Sequence, residues 1–540
     1  MTQTIPGLMT SAPLLVSSLI DHAARHHRNG EIVSRLGDGS LHRYRYPDCR
    51  RRAMRLASAL ELAGVQQGTR IATIAWNGFR HLELYFGVGG MGSVCHTINP
   101  RLHPDQIAYI IRDAADQMVF FDVEFTGLIA QIAPLCPEVR NWVALCGTHE
   151  MPAQSMPSLE SYEALLATGS EDYEWPVFDE SAACGLCYTS GTTGQPKGVL
   201  YANRSTVLHA YAASLPNAMN LASHSVVLPV VPMFHVNAWG IPYAAPLNGA
   251  KLVLPGRMLD GASLYNLIEA EGVTFAAGVP TIWLSLLEHV EQNSAKFASL
   301  QEAAIGGSAC PASMVDRFHA LGVDVVHGWG MTETSPLGCL SRLNPRRTDL
   351  PLEERRRILQ KQGHALFGID MKIVNGNGTE LPWDGSSFGD LMVRGPWVLE
   401  RYYGADHPVG EDGWFATGDV ATIDSNGAMQ IMDRTKDIIK SGGEWISSID
   451  VESIAMAHPD LLEAACIAAE HPKWGERPLL IAVARPGASV SENDVLHFFE
   501  GKAAKWWIPD KVIFSESLPH NATGKVQKRE LRERYAGQLS

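Results

Sequence analysis

From about Ala182 onward, short apolar runs alternate with longer amphipathic segments. "AACGLCYT" predicts a buried strand followed by a loop, and then a helix with Val207, Leu208, Tyr211 and Leu215 on its apolar face. "SVVLPVV", "KLVLP", "VTFAA", "EAAIG" and "VDVVHG" predict further strands. "ASLYNLIEAEG" and "TIWLSLLEHVEQN" carry helical spacing, and "PASMVDRFHALG" has a Pro start and a Gly stop. Strands alternating with helices imply a mostly parallel sheet covered on both faces, an α/β architecture.

The pattern changes between about 363 and 432, where "GIDMKIVNGNG", "GDLMVRG" and "ATIDSNGAMQIMD" predict β-structure rich in turns. The charged segment "DRTKD" (Asp433 to Asp437) follows, and then about a hundred residues suited to a small domain. The expected organisation is therefore a large domain over 1–432, a hinge at 433–437 and a small domain over 438–540.

Composition adjusts this picture little. The 540 residues are 46% hydrophobic and 19% charged, with a formal net charge of −14. That charge gives nucleic acid no general basic field. The basic run "LEERRRILQK" is expected to be a solvated helix face. Nine cysteines, an odd number, and no basic n-region at the N-terminus suggest reduced thiols in a cytoplasmic protein. Ser205 to Ala250 lacks Asp, Glu, Lys and Arg, but five prolines interrupt it, so it is expected to be buried interior and not a membrane span.

Three familiar patterns are decoys. "GVGGMG" lacks the strand-before, helix-after context of a dinucleotide loop and is expected to be close helix packing. "GSSFG" sits in a turn leading to a strand, not on a strand-to-helix elbow. "CGLC" lies inside an apolar strand with no second cysteine pair, so two small buried side chains are expected.

"CYTSGTTGQPKGV" (Cys187 to Val199) is a different matter. Its glycines permit close backbone approach, its amides and hydroxyls suit phosphate oxygens, and Lys197 adds a movable charge. The spacing is not that of a Walker loop. Downstream follow "VPMFHVNAWG", "AIGGSACP", "HGWGMTETSP", "DGWFATGD", "DRTKDIIKSGGEWIS" and "LPHNATGKVQKREL". In that order the seven segments closely resemble the core motifs of the adenylate-forming superfamily, which includes acyl-CoA synthetases, luciferases and peptide-synthetase adenylation domains. "MFHVNAWGIPY", "KSGGEWISS" and "KWWIPD" look most like its fatty-acyl-CoA synthetase branch.

The resemblance implies a fold: a large N-terminal domain of two α/β sheets plus a small β-barrel, a hinge, and a small mobile α/β C-terminal domain. It also implies an activity, ATP-dependent ligation of a medium- to long-chain fatty acid to CoA through an acyl-adenylate. Mg²⁺ would accompany ATP, and a homodimer is the expected assembly. By resemblance, Thr189, Ser190, Gly191, Thr192, Thr193, Gly194 and Lys197 bind the leaving phosphates. Thr189 and Glu333 contact Mg²⁺. Gly307, His327, Gly328, Trp329 and Thr332 form the adenine and AMP pocket. The superfamily usually has a tyrosine-type residue where this chain has Trp329.

Asp419, supported by Arg434, is expected on the ribose hydroxyls, and Lys436, Lys440 and Trp445 complete the nucleotide-binding set. Lys525 resembles the lysine that bridges carboxylate and α-phosphate during adenylation. His235, Val236, Trp239 and Gly330 fall on the acyl side, with His235 also in the catalytic set. Gly442, Gly443 and Glu444 would admit CoA. A ligase for an aryl, methylthio-alkyl or short-chain acid is the alternative. A non-catalytic acyl-AMP-binding regulator fits less well with Thr189, Glu333, Asp419 and Lys525 all in place.

Overall fold

The computed structural model describes residues 7–153, 156, 158–189, 195–343, 350–410, 412–441, 444–520 and 525–539. The chain divides into two compact units, 1–214 with 221–225 and 232–257, and 215–220 with 226–231 and 258–540.

The first unit is built on a seven-stranded sheet. Its order is Leu159–Ser161, Asn141–Ala144, Met118–Phe121, Arg70–Ile74, Val94–Thr97, Ala183–Thr189 and Lys197–Ala202. All neighbours are parallel except the last pair. Strands such as Met118–Phe121 (MVFF) are buried at every position, as expected for parallel strands covered on both faces. A cluster around Ile74, Ile107, Ile111, Phe121 and Trp142 fills one of those faces. The glycines of "GVGGMG" serve packing. The helix Phe79–Gly90 carries them, and a Cβ on Gly87 would lie 2.8 Å from Leu56.

Two expectations for this unit need correction. The loop after Thr189 leads first into a strand, Lys197–Ala202, and only then into the helix Asn203–Ser214. That helix buries only part of the predicted face: Val207 is buried and Leu208 half-buried, but Tyr211 is 52% exposed and Leu215, just past the helix end, 37%. Beside Val207, the buried side carries His209, Ala210 and Ala213. Small residues there let the helix lie close against Ile241–Asn248.

In the second unit, the strands His364–Ala365, Leu337–Ser341, Asp324–Gly330, Glu302–Ile305, Phe275–Gly278 and Val226–Pro229 are successive neighbours. The β-rich segment forms a four-stranded antiparallel sheet, Asp370–Val374, Phe388–Arg394, Phe415–Ile423 and Met429–Arg434. In "GSSFG" the Asp384 carboxylate accepts from the amides of Ser386 and Ser387 and from the Ser387 hydroxyl, which marks a capped turn. The "LEERRRILQK" run is the short helix Leu352–Leu359. Its Arg356 is paired bidentately with Asp316 at 2.7 Å.

Residues after 438 fold on a five-stranded sheet whose centre is the antiparallel pair Leu461–His471 and Gly475–Ala484. One face packs against the helices Ser448–Met456 and Glu492–Phe498 around Val451, Leu480 and Phe499. The other packs against Lys528–Tyr535 around Ile467, Ile481 and Leu531. All nine cysteines are unpaired and buried. Among the described residues no helix is long and apolar enough to cross a membrane.

Candidate active site

Thr189 and Lys197 are paired across the open end of the antiparallel strands Ala183–Thr189 and Lys197–Ala202. The glycine-rich segment therefore joins two antiparallel strands. Ser190, Gly191, Thr192, Thr193 and Gly194 lie outside the described residues, as do Gly442, Gly443 and the Glu444 side chain.

His235, Val236 and Trp239 belong to the same unit and lie on an unusual turn. Val236, Asn237, Ala238, Trp239 and Gly240 all have positive φ, 48°, 50°, 47°, 58° and 76°. The left-handed conformation costs about 1–2 kcal/mol per residue, with Gly and, to a lesser degree, Asn spared. A run of this kind persists only where its surroundings over-determine it. The buried Asn237 supplies part of that constraint. Its amide oxygen accepts from the Tyr85 hydroxyl at 3.1 Å and lies 3.6 Å from the Cys187 sulfur. His235 and Trp239 are half-buried.

The other described residues singled out by sequence lie in the second unit, and the strand Asp324–Gly330 organises several of them. His327 is buried and brought down to about 4 by desolvation, so it is neutral near pH 7. Its Nδ1 lies 2.9 Å from the Leu359 carbonyl, which assigns the proton to that nitrogen, and Nε2 is 3.5 Å from the Gln362 amide nitrogen. Gly328 and Gly330 are required sterically. A Cβ would meet Leu340 at 2.8 Å in the first case and the Pro336 carbonyl at 1.9 Å in the second. Gly307 has φ +82° in the turn after Glu302–Ile305.

Trp329 has a role that its sequence did not foretell. Its indole N–H donates to Asp419 Oδ2 at 2.9 Å. Gly338 on the facing strand leaves room for the ring, since a Cβ there would lie 2.5 Å from it. Arg434 Nε sits 2.7 Å from the other Asp419 oxygen. Burial pushes the Asp419 carboxyl above its usual range, and Arg434, Trp329 and Lys525 oppose that push.

Glu333 follows in the short turn Thr332–Thr334, with Thr332 buried beside it. The Tyr402 hydroxyl donates to Glu333 Oε1 at 2.8 Å. Desolvation raises the Glu333 carboxyl too, and Arg434 and Asp419 act on it with opposite signs. The Lys525 ammonium is brought down to about 8 by desolvation first and then by Arg434, with Asp419 working against both. Glu333, Asp419, Arg434 and Lys525 thus form one electrostatic group, two carboxylates and two cations. Lys440 and Trp445 form a separate pair: the ammonium lies 5.6 Å from the indole centroid, and that ring packs against Phe388. Lys436 is exposed.

Tyr402, Gln362 and Asn237 are contributors that the sequence did not single out. Tyr402 stands 69 residues from Glu333 in no recognisable spacing. Asn237 had a readable signal: among residues other than glycine, Asn tolerates positive φ best, and it stands between His235 and Trp239. Among the described residues no group of three or more His, Cys, Asp or Glu could hold a metal ion.

Comparison with known proteins identifies the family. Residues 20–403 match the family described as AMP-binding enzyme, and residues 450–525 match the AMP-binding enzyme C-terminal domain. The chain is 53% identical over 536 residues to the 3-methylmercaptopropionyl-CoA ligase of Ruegeria lacuscaerulensis, covering 99% of both chains. It is 50% identical over 531 residues to the medium-chain-fatty-acid–CoA ligase of Ectopseudomonas oleovorans, covering 98% of this chain and 97% of the other. Its fold matches that of an anthranilate CoA ligase in complex with anthranoyl-AMP, with a TM-score of 0.84 at 23% identity over 96% of each chain. With the family matched across most of its length, the chain belongs to the AMP-binding enzyme family.

Proposed function

We propose that the protein is an ATP-dependent fatty acid–CoA ligase acting on a medium- to long-chain acid. The observation that carries the reading is the group formed by Asp419, Arg434, Glu333 and Lys525, with Trp329 holding Asp419 in place. Two cations beside buried carboxylates suit a reaction that joins two anions and leaves AMP on one of them. The two curated relatives, both named as CoA ligases, support it.

A carboxylate resists attack at carbon because it is negatively charged and has no good leaving group. In the first half-reaction a carboxylate oxygen attacks the α-phosphorus of ATP, and the bond to pyrophosphate breaks. The Lys525 ammonium neutralises charge gathering on the carboxylate and α-phosphate, the kind of stabilisation that is strongest away from water. Asp419 accepts from the ribose hydroxyls, with Trp329 and Arg434 fixing its orientation. Thr189 and Lys197 bind the phosphates that leave, and Gly307, Gly328 and Thr332 border the AMP moiety.

A magnesium ion accompanying ATP would offset phosphate charge, and by resemblance Thr189 and Glu333 would supply oxygens to it. Glu333 fits that task, being a hard-oxygen donor whose buried charge a cation would offset. In the second half-reaction the CoA sulfur attacks the acyl carbon, the bond to AMP breaks, and the thiol proton goes to solvent. The acid's apolar chain is taken up beside His235, Val236 and Trp239.

Asp433–Asp437 serves as the hinge for a mobile domain over 438–540. The pivot is assigned to Lys436 by resemblance; Asp433 accepts from the Ser448 amide, Asp437 pairs with Arg532, and Lys436 is exposed. A cytoplasmic homodimer is the expected assembly. A 3-(methylthio)alkanoate is the second substrate reading, favoured by the 53% identical relative. Acid-dependent pyrophosphate release, followed by acyl-CoA formation on adding CoA, tests the proposal across straight-chain acids and 3-(methylthio)propionate. No release with any acid would overturn it.

A further inference from the structure

We propose that Asn237 is a positioning residue for the acid, fixing the turn that carries His235 and Trp239. This rests on the ligase reading given above.

The left-handed run from Val236 to Gly240 closes as a short 3-10 turn, and the Val236 and Asn237 backbone amides also reach the Cys187 sulfur. The Ala238 amide reaches the carbonyls of Pro232 and His235 at only 3.2 and 3.3 Å. Further constraint comes from side chains on neighbouring elements. The Tyr85 hydroxyl, on the helix Phe79–Gly90, lies 2.6 Å from the Met233 carbonyl and 3.1 Å from the Asn237 amide oxygen. Asn77 Oδ1 accepts from the Met233 amide at 2.6 Å. One hydroxyl proton is thus shared between the two ends of the five-residue stretch from Met233 to Asn237.

The third contact gives Asn237 its meaning. Cys187 lies two residues before Thr189 on the strand that enters the glycine-rich segment, and its sulfur is 3.6 Å from the same amide oxygen. That sulfur also takes a 3.1 Å contact from Thr97. Below the Asn237 amide nitrogen stands Gly185, where a Cβ would come within 3.7 Å. Asn237 therefore registers the acyl-side turn against the strand that leads to the phosphate-binding segment.

Loss of this contact falls unequally on the two partners. Ala183–Thr189 is held by ladders on both sides, parallel to Val94–Thr97 and antiparallel to Lys197–Ala202. The turn has no ladder. Removing the amide should let the turn relax toward ordinary backbone angles and move Trp239, while the strand stays in place. Use of the acid should suffer and use of ATP should not.

The test is steady-state ligation by the full-length protein, with straight-chain acids of four to sixteen carbons and with ATP varied separately. Asn237→Leu keeps the volume but removes the amide, and Tyr85→Phe removes only the hydroxyl. For Asn237→Leu the KM for the acid should rise about tenfold and the chain-length profile should shift, with the KM for ATP within about twofold of wild type. Tyr85→Phe should change the acid KM in the same direction, and the double variant should fall short of the sum of the two single effects, because the two substitutions share one contact while Tyr85→Phe also releases the Met233 carbonyl. Should Asn237→Leu fail to fold, Tyr85→Phe decides alone. Folded variants with an unaltered acid profile, or with acid and ATP KM raised equally, would overturn the proposal. A wild-type protein inactive with every acid would instead remove the ligase reading, and this inference with it.

Discussion

Lys525 is the residue whose charge matters most to the proposed chemistry, and its environment makes that charge sensitive to pH. Desolvation and Arg434 lower it to about 8 from an ordinary 10.5. The ammonium is present below about pH 8 and is lost as pH rises through that value. For free enzyme, kcat/KM for the acid should therefore fall above about pH 8, and Lys525→Arg should abolish that fall while working more slowly. A profile flat to pH 10 would contradict the assignment. The stability sign is opposite: the depressed pKa is a cost below pH 8 that fades as pH climbs toward 10.5.

Lys525→Ala should slow adenylation about 10²-fold or more while sparing thioester formation from supplied acyl-adenylate. Trp329→Phe keeps an aromatic ring but removes the donor to Asp419. A KM for ATP raised about tenfold, measured by pyrophosphate exchange, is expected from one charged hydrogen bond. The types and positions of these residues were legible in their motifs. The indole-to-carboxylate bond was not, because it joins residues 90 apart and needs the space left by Gly338.

At the level of elements, apolar periodicity located strands well where burial is complete on both faces. On Asn203–Ser214 it placed Val207 correctly but misplaced Tyr211, because close helix packing prefers alanine to bulk and large side chains dominate any hydropathy count. It also passed over Lys197–Ala202, whose leading Lys-Gly belongs to the loop signal as much as to a strand. The left-handed turn was beyond reach, since no local preference of Val, Ala or Trp favours it. That turn carries its own prediction. Ala238→Gly should relieve about 1–2 kcal/mol of backbone strain and forfeit roughly 0.5–1 kcal/mol to unfolded-chain entropy. A small net rise in Tm is expected; a clear fall would mean that the turn is unstrained.

The whole molecule hangs part of its stability on charges buried after the expected hinge. Lys528 Nζ lies 2.7 Å from Glu452 Oε1 and 2.5 Å from the Ser448 hydroxyl, and Asp433 Oδ2 accepts from the Ser448 amide at 2.6 Å. Burial alone would lower the Lys528 pKa, but Glu452 and Asp433 outweigh it and raise it. Lys528→Met leaves these carboxylates uncompensated and should cost about 3–5 kcal/mol in denaturant unfolding. Adding Glu452→Gln should recover part of it. The motif "NATGK" pointed to Lys525 alone, and only packing reveals Lys528, half-buried and paired with Glu452, as the lysine committed to the fold.

The central claim is that carboxylate activation and thioester formation occur in sequence on this one chain. Its most direct test is acid-dependent exchange of labelled pyrophosphate into ATP, run without CoA and then with it. The account predicts exchange that requires a carboxylic acid, is lost in Lys525→Ala, and gives way to net acyl-CoA and AMP once CoA is added. Exchange absent with every acid, or ATP cleaved to ADP and phosphate, would contradict it.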